Sequence, residues 1–333
     1  MTVKLKQKID TIFTDIHNTF YDDIQSLNAL IIDRLESPVP LIQQVACHLI
    51  QAGGKRIRPL LTFISAKMHG YRGDRPVHMG ACIEFIHTAT LLHDDVIDDS
   101  VKRRGLRSAN DLWGNKTSIL VGDFLFSKAF EFMVADKNPE IMKVLSKAAS
   151  VIASGEVLQL SKEKDLSLTE KEYFSIIESK TSALFSAASE VGTLIADASE
   201  KDRKTMADYG HKIGTLFQIT DDILDFGLPK STPGKNVGDD IKGGRITLPI
   251  IYLLKKKPAY KTLVEDCYND RKDFELSFKK LQDALVEHSI FKEIETVIES
   301  IYNSCCSLLT TMPDTQEKKF LQELLSFTIH RIK

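Results

Sequence analysis

The stretch RPVHMGACIEFIHTATLLHDDVID (75–98) is the one on which the fold turns. Its apolar residues recur three and four apart, so residues 77–98 read as one long helix behind the break GDRP (73–76). His87, Leu91, Asp94 and Asp98 stand at i, i+4, i+7 and i+11. At about 100° per residue, His87, Asp94 and Asp98 fall within roughly 20° of a common line. Two carboxylates one turn apart on one face either repel each other or share a cation. Oxygen donors on a rigid helix, with coordination places left for phosphate oxygens and water, suit Mg²⁺. Lys102, Arg103 and Arg104 follow at once. Acid alone points to a metal and base alone to a phosphate; together they point to a metal-bound phosphorylated ligand.

Outward from this helix the pattern repeats. ALIIDRLESP, IMKVLSKAASVIASGEVLQL and EYFSIIESKTSALFSAASEVGTLIAD carry the same helical spacing of apolar residues. Breaks fall at Pro38 and Pro40, Gly53-Gly54, 73–76, 137–139, 227–240 and Pro258, and none is long and polar enough for an interdomain linker. RITLPIIYLL (245–254) is ambiguous between strand and helix on its own. Long striped helices with short breaks predict an all-α fold, with residues 1–333 as a single domain. A chain of 333 residues, 43% hydrophobic, has ample material for a core. Its 44 basic and 46 acidic residues leave a formal charge of −2, which excludes the basic surplus of a nucleic-acid binder. Five cysteines without CxxC spacing predict a reduced, cytoplasmic protein. The N-terminus lacks a signal-peptide core, and there is no apolar run of about 18 residues to span a membrane.

The acidic spacing recurs in FQITDDILDF, where Asp221, Asp222 and Asp225 repeat D-D-x-x-D and Gln218 lies one turn earlier. One such face is most often merely solvated. Here both sets are interleaved with apolar residues (Leu91, Leu92, Val96, Ile97; Phe217, Ile219, Ile223, Leu224), so both helices are expected to be largely buried. Buried charge is costly unless paired or metal-bound. Lys55, Arg56 and Arg58 in GGKRIRP, Lys180 in ESKTSALF and Lys235 in STPGKNVGDD add cations suited to phosphate oxygens, and no GxxxxGK[ST] loop is present. Glu84-x-x-His87 is half of a di-iron carboxylate motif, but no second half exists. His93-Asp94 matches the HD pair of metal-dependent phosphohydrolases and leaves the second acid motif unexplained. A noncatalytic helical scaffold or partner subunit would lack members of the acid–base set.

In GGKRIRP, FIHTATLLHDDVIDDS, RRG, LVGDFLFSKAF, GEVLQL, KTSALF, GKNVGDD and TLPII, in that order over about residues 50–255, the chain resembles the trans-polyprenyl diphosphate synthases, most of all bacterial octaprenyl diphosphate synthases. The resemblance implies an orthogonal bundle of the isoprenoid synthase type with a central substrate cavity. It implies that an allylic diphosphate condenses with isopentenyl diphosphate through ionisation, bond formation and proton loss. Asp94, Asp98 and Asp221 would hold Mg²⁺, three ions per active site with substrate bound. With Lys180 they form the implied catalytic set. Arg103, Lys180, Thr181, Gln218 and Lys235 would meet the allylic diphosphate, and amide and hydroxyl groups among them can also face the cation. Lys55, Arg58, His87 and Arg104 would grip isopentenyl diphosphate. The proton would leave to the released pyrophosphate. Two departures stand out: Arg245 where relatives carry lysine, and Phe226 where tyrosine is common.

In this family the residues four and five before the first aspartate limit the product, and here they are the small Thr90 and Ala89. Ile86, Ile83 and Cys82 continue an apolar lining, and a phenylalanine of ILVGDFLFSKAFEFMV (119–134) is expected at its floor. The resemblance implies a long product of about C40 for quinone side chains, a homodimer, and transient membrane contact at product release. A short-chain (farnesyl or geranylgeranyl) synthase would differ only in pocket depth. Beyond about residue 256 no motif is legible; the closing HRIK (330–333) either places Arg331 and Lys333 near a phosphate or frays in solvent, and fraying is the expectation.

Overall fold

The computed structural model describes residues 14–51, 54–103, 105–227, 237–269 and 273–331. They form helices throughout apart from one short hairpin: α1 (Tyr21–Arg34), α2 (Pro40–Gln51), α3 (Ile57–Met68), α4 (Arg75–Ile97), α5 (Ala109–Trp113), α6 (Asn115–Asp136), α7 (Pro139–Ser161), α8 (Glu170–Ile177), a π-helical turn (Glu178–Ser182) and α9 (Ala183–Ile195). Then follow α10 (Glu200–Asp225), α11 (Asp239–Lys242), α12 (Leu248–Lys256), a 3₁₀ turn (Pro258–Tyr260), α13 (Lys261–Asn269), α14 (Phe274–Glu287), α15 (Ile290–Thr310) and α16 (Gln316–His330). The all-α expectation holds, and the helix read over 77–98 is α4, one or two residues displaced at each end. RITLPIIYLL resolves as the start of α12, with Pro249 in its first turn, where a missing N–H costs nothing. The antiparallel pair β1 (Lys102–Arg103) and β2 (Leu106–Arg107) gave no strand signal in the sequence.

The breaks work through local chemistry. Asn138 accepts from the Glu140 N–H at 3.0 Å with Pro139 behind it, starting α7. Thr169 and Glu172 form a reciprocal capping box on α8, and Ser199 caps α10.

Helices α4 and α9 are buried around most of their circumference and form the middle of the bundle. A helix with no polar stripe is stable only when neighbours cover every side. Here α1, α3, α6 and α9 surround α4, while α3, α7 and α10 pack on α9. Helices α4 and α6 run antiparallel, tied at one end by Arg75, whose Nε and Nη2 donate to both carboxylate oxygens of Asp136 at 3.0 and 2.9 Å. At the other end His93 lies against Gly122, where a Cβ would come within 2.2 Å of the imidazole. This arrangement places the acidic carboxyl ends of α4 and α10 on the same cavity.

Close approach of α9 to α3 needs Gly192, because a Cβ there would lie 2.4 Å from the Thr62 carbonyl oxygen and 2.6 Å from the Ser65 Cβ. Alanine is a better helix former by about 1 kcal/mol. Overpacking against rigid backbone costs about 1–3 kcal/mol. Gly192→Ala is therefore expected to lower stability, read as a reduced urea midpoint with unchanged slope. An equal or raised midpoint would show that the two helices are not locked together there.

Candidate active site

A cavity of about 220 Å³ opens between α4, α7, α8, the π turn, α10 and the residues leading into α12. Its wall includes Asp94, Asp98, Arg103, Lys180, Thr181 and Gln218, six residues singled out from the sequence. Lys180 and Thr181 belong to the π turn, whose wider winding carries both to the wall; such turns recur at functional sites. Gly155 of α7 makes room for it, since a Cβ there would meet Ser179 Cβ at 2.7 Å.

The first acidic motif divides its labour. Asp94 is mostly buried, 3.6 Å from Lys180 Nζ, and its Oδ1 is buried with no hydrogen-bond partner. Asp95 is fully buried and accepts from Arg103 Nε at 2.7 Å. Asp98 pairs with Arg245 Nη1 at 2.8 Å, and the same guanidinium donates to Asp240 at 2.9 Å.

The second motif is divided in the same way. Asp221 pairs with Arg331 Nη2 at 2.5 Å. Asp222 is buried and accepts from Tyr173 Oη at 2.6 Å and Gln218 Nε2 at 2.8 Å. Asp225 accepts from the backbone N–H groups of Asp239 and Asp240 at 3.2 and 3.1 Å, anchoring the chain that delivers Arg245. The residue of this motif on the cavity wall is Asp222; Asp221 turns toward the last helix.

Several expectations land elsewhere. Arg331 is not frayed: its guanidinium lies 4.6 Å over the Phe217 ring as well as on Asp221, because α16 packs against α3 and α10 and ends beside the second motif. Arg56 is spent on buried Glu84 at 2.5 Å, which also removes Glu84 from a di-iron site. Lys55 Nζ lies 3.8 Å over Phe327 of α16, and the Arg58 guanidinium lies 4.5 Å over Phe185 of α9. Neither they nor the half-buried His87 line this cavity, and neither do Thr90 and the fully buried Ala89. Thr90 donates to the His87 carbonyl at 2.8 Å. Ile86, Ile83 and Cys82 are fully buried, and Phe132 of α6 packs against Phe85 with ring centroids 5.8 Å apart. Phe226 is fully buried and stacks on Phe278. Arg104, Lys235 and Lys333 lie outside the described residues.

Sequence reasoning missed Tyr173, Glu156 and Arg331. Glu156, in GEVLQL, accepts from Lys180 Nζ at 2.7 Å, so one ammonium serves carboxylates from α7 and α4. Its one signal was its place in the GEVLQL motif; the pairing with Lys180, 24 positions away, was not legible.

Electrostatics follow from burial. Desolvation first, then the charge of Asp98, raises the Asp94 carboxyl above its ordinary value, against Lys180 and Arg103, which pull it down. Burial alone would discharge Lys180, but Asp94 and Glu156 outweigh it and keep the ammonium charged. Burial, then the charge of Asp94, lifts Glu156 to about 7. Burial, then Asp240, also pushes Asp222 up, against hydrogen bonds from Tyr173 and Gln218.

The donor set fits a hard divalent cation: all its donors are oxygen, and Asp94 offers a buried oxygen with no other partner. On this wall Asp94 and Asp98 are the groups that could hold one; Asp221, paired with Arg331, does not line it. Among the described residues no three carboxylate, imidazole or thiol groups converge tightly enough to enclose an ion alone. Phosphate oxygens or water would have to complete the shell.

Glu156 carries a pH signature. Its folded pKa of about 7 exceeds its ordinary 4.5, so the folded chain holds a proton that the unfolded chain releases. That stabilisation is present below pH 4.5 and lost as pH rises through about 7. In chelator-treated protein, Glu156→Gln should flatten the fall in urea midpoint across this window. An unchanged slope would contradict the assignment.

No helix among the described residues is long and apolar enough to cross a membrane. The polyprenyl synthetase family model matches residues 39–285. Octaprenyl diphosphate synthase of Escherichia coli is 44% identical over 232 residues, 70% of this chain and 72% of that protein. A decaprenyl diphosphate synthase structure from Rhodobacter capsulatus superimposes with a TM-score of 0.91 at 38% identity, covering 96% of this chain and 99% of the other. A polyprenyl synthase from Caulobacter crescentus, complexed with calcium and isoprenyl diphosphate, also reaches 0.91 at 38% identity, covering 96% of this chain and 98% of the other. The fold is shared with these structures over nearly the whole chain, and the chain belongs to the polyprenyl synthetase family.

Proposed function

We propose that this protein is a long-chain trans-prenyl diphosphate synthase that extends an allylic diphosphate by successive isopentenyl diphosphate units, yielding octaprenyl diphosphate for quinone side chains. The observation that carries the reaction class is the cavity on which Asp94, Asp98, Arg103, Lys180 and Arg245 meet, acid and base interleaved. Whatever fills it must bring its own positive and negative charge, as a metal diphosphate does.

Asp94, Asp98 and Asp221 are assigned to Mg²⁺, three ions per site with substrate bound. When bound, the ions supply charge neutralisation for a departing diphosphate. Lys180 and Arg103, fixed by Glu156 and Asp95, supply donors already oriented toward its oxygens. Lys235, from outside the described residues, is assigned to the same diphosphate. The allylic C–O bond breaks with its electron pair on the pyrophosphate oxygen. Thr181 and Gln218 present oxygen dipoles toward the resulting cation. The double bond of isopentenyl diphosphate, held by Lys55, Arg58, His87 and Arg104, supplies the electrons of the new C–C bond, and the proton leaves to pyrophosphate. Tethered cations also set an order: each metal carboxylate is held by Lys180, Arg245 or Arg331, so metal and diphosphate enter together.

Chain length rests on small Ala89 and Thr90 beneath Asp94. A cavity of about 220 Å³ takes diphosphate groups but not a C40 tail, so growth requires apolar side chains of α4 and α6 to part below it. Exposed Leu120, Phe130 and Val134 share one face of α6 and support a homodimer. The whole chain acts as one domain, in the cytoplasm, touching membrane transiently as the product leaves.

Purified protein with farnesyl diphosphate, isopentenyl diphosphate and Mg²⁺ should give a dominant C40 product by mass spectrometry. Asp94→Ala should lower turnover by about 10²–10³-fold or more. Thr90→Phe should leave condensation intact and shorten the product. Absence of condensation with several allylic starters would refute the reaction class, while short products from the wild type would refute the long pocket alone.

A further inference from the structure

Behind the wall that carries Lys180 runs a chain of four polar side chains, two of them unused by the reaction as written. Tyr173 Oη donates to Asp222 Oδ2 at 2.6 Å, Gln218 Nε2 donates to Asp222 Oδ1 at 2.8 Å, and Thr181 Oγ1 donates to Gln218 Oε1 at 2.7 Å. Tyr173 and Asp222 are 3% and 2% exposed, Thr181 is 7% exposed, and all four residues border the cavity.

The chain has a direction. As a carboxylate, Asp222 has a donor on each oxygen and accepts from both sides. Gln218 must therefore turn its NH₂ toward Asp222 and its carbonyl toward Thr181. A carbonyl only accepts, so Thr181 spends its single O–H on Gln218. What Thr181 has left for the cavity is lone pairs. An oxygen held as an acceptor stabilises adjacent positive charge and repels phosphate oxygens, so the network selects the cation and not the diphosphate as its partner.

We propose that Tyr173 is a positioning residue for allylic ionisation: by anchoring Asp222 from α8, it fixes the polarity of the Asp222–Gln218–Thr181 chain so that Thr181 faces the developing cation with its lone pairs. The proposal rests on the prenyltransferase reading of the same cavity. It also gives the second D-D-x-x-D motif two separate tasks, with Asp221 toward metal and Asp222 toward the cation.

A role in orientation predicts a loss confined to the chemical step. Loss of this one anchoring hydrogen bond in Tyr173→Phe should lower the single-turnover rate about tenfold. KM for the allylic diphosphate and for isopentenyl diphosphate should hold within about twofold. Thr181→Val should be slowed further, and Tyr173→Phe/Thr181→Val should be no slower than Thr181→Val. An unchanged rate in Tyr173→Phe, a matching rise in KM, or additive losses in the double variant would overturn the proposal. If Tyr173→Phe fails to fold, Asp222→Asn tests the same polarity, because its NH₂ can reverse the chain, and it must show the same loss of rate with KM held. No condensation by the wild type would refute instead the functional reading on which the proposal stands.

Discussion

Acid placed at the carboxyl end of a helix is acid in the wrong place. Unpaired carbonyls there carry partial negative charge, and added carboxylates raise it further. Both aspartate motifs occupy such a position, Asp94 to Asp98 at the end of α4 and Asp221 to Asp225 at the end of α10. A fold can hold them only by bringing a cation to each, and much of the rest of the architecture follows. The hairpin after α4 returns Arg103 to Asp95, and the π turn delivers Lys180 to Asp94. The short α11, capped by Asp225 itself, carries Arg245 to Asp98, while α16 closes the bundle with Arg331 on Asp221. Removing any of these cations would leave a partly buried carboxylate exposed to its neighbours, which costs more than an ordinary surface pair.

Packing makes those deliveries possible. Gly122, Gly155 and Gly192 each stand where a methyl group would strike a neighbouring helix or side chain, so the helices bearing the charged groups approach more closely than larger residues allow. Aromatic faces also hold cations in place: Phe327 under Lys55, Phe185 under Arg58, Phe217 under Arg331. The last helix thus touches both the second acidic motif and the basic loop before α3, although its own sequence shows no pattern beyond amphipathicity.

The all-α fold and the breaks at 73–76, 137–139 and Pro258 were legible because periodicity and proline act locally. Asp94, Asp98, Arg103, Lys180, Thr181 and Gln218 were legible because spacing repeats and family motifs marked them. Pairings between distant segments were not. Arg331 looked like a fraying end because its partner lies 110 positions away, and Glu156 and Tyr173 looked like ordinary helix residues until the fold brought Lys180 and Asp222 to them. Arg56 was the opposite error, a cation grouped by sequence with Lys55 and Arg58 but turned by a left-handed backbone (φ 48°) toward buried Glu84. The π turn could not be foreseen, since its sequence is compatible with an uninterrupted helix.

We propose charge exchange: Lys180, Arg245 and Arg331 hold the carboxylates assigned to metal until a metal and a diphosphate replace them together. Calorimetric titration of Mg²⁺ into the protein, with and without a nonhydrolysable farnesyl thiodiphosphate, tests it most directly. The account predicts weak binding of either component alone and tight binding of the pair. Equally tight Mg²⁺ binding in the absence of the diphosphate analogue would contradict it.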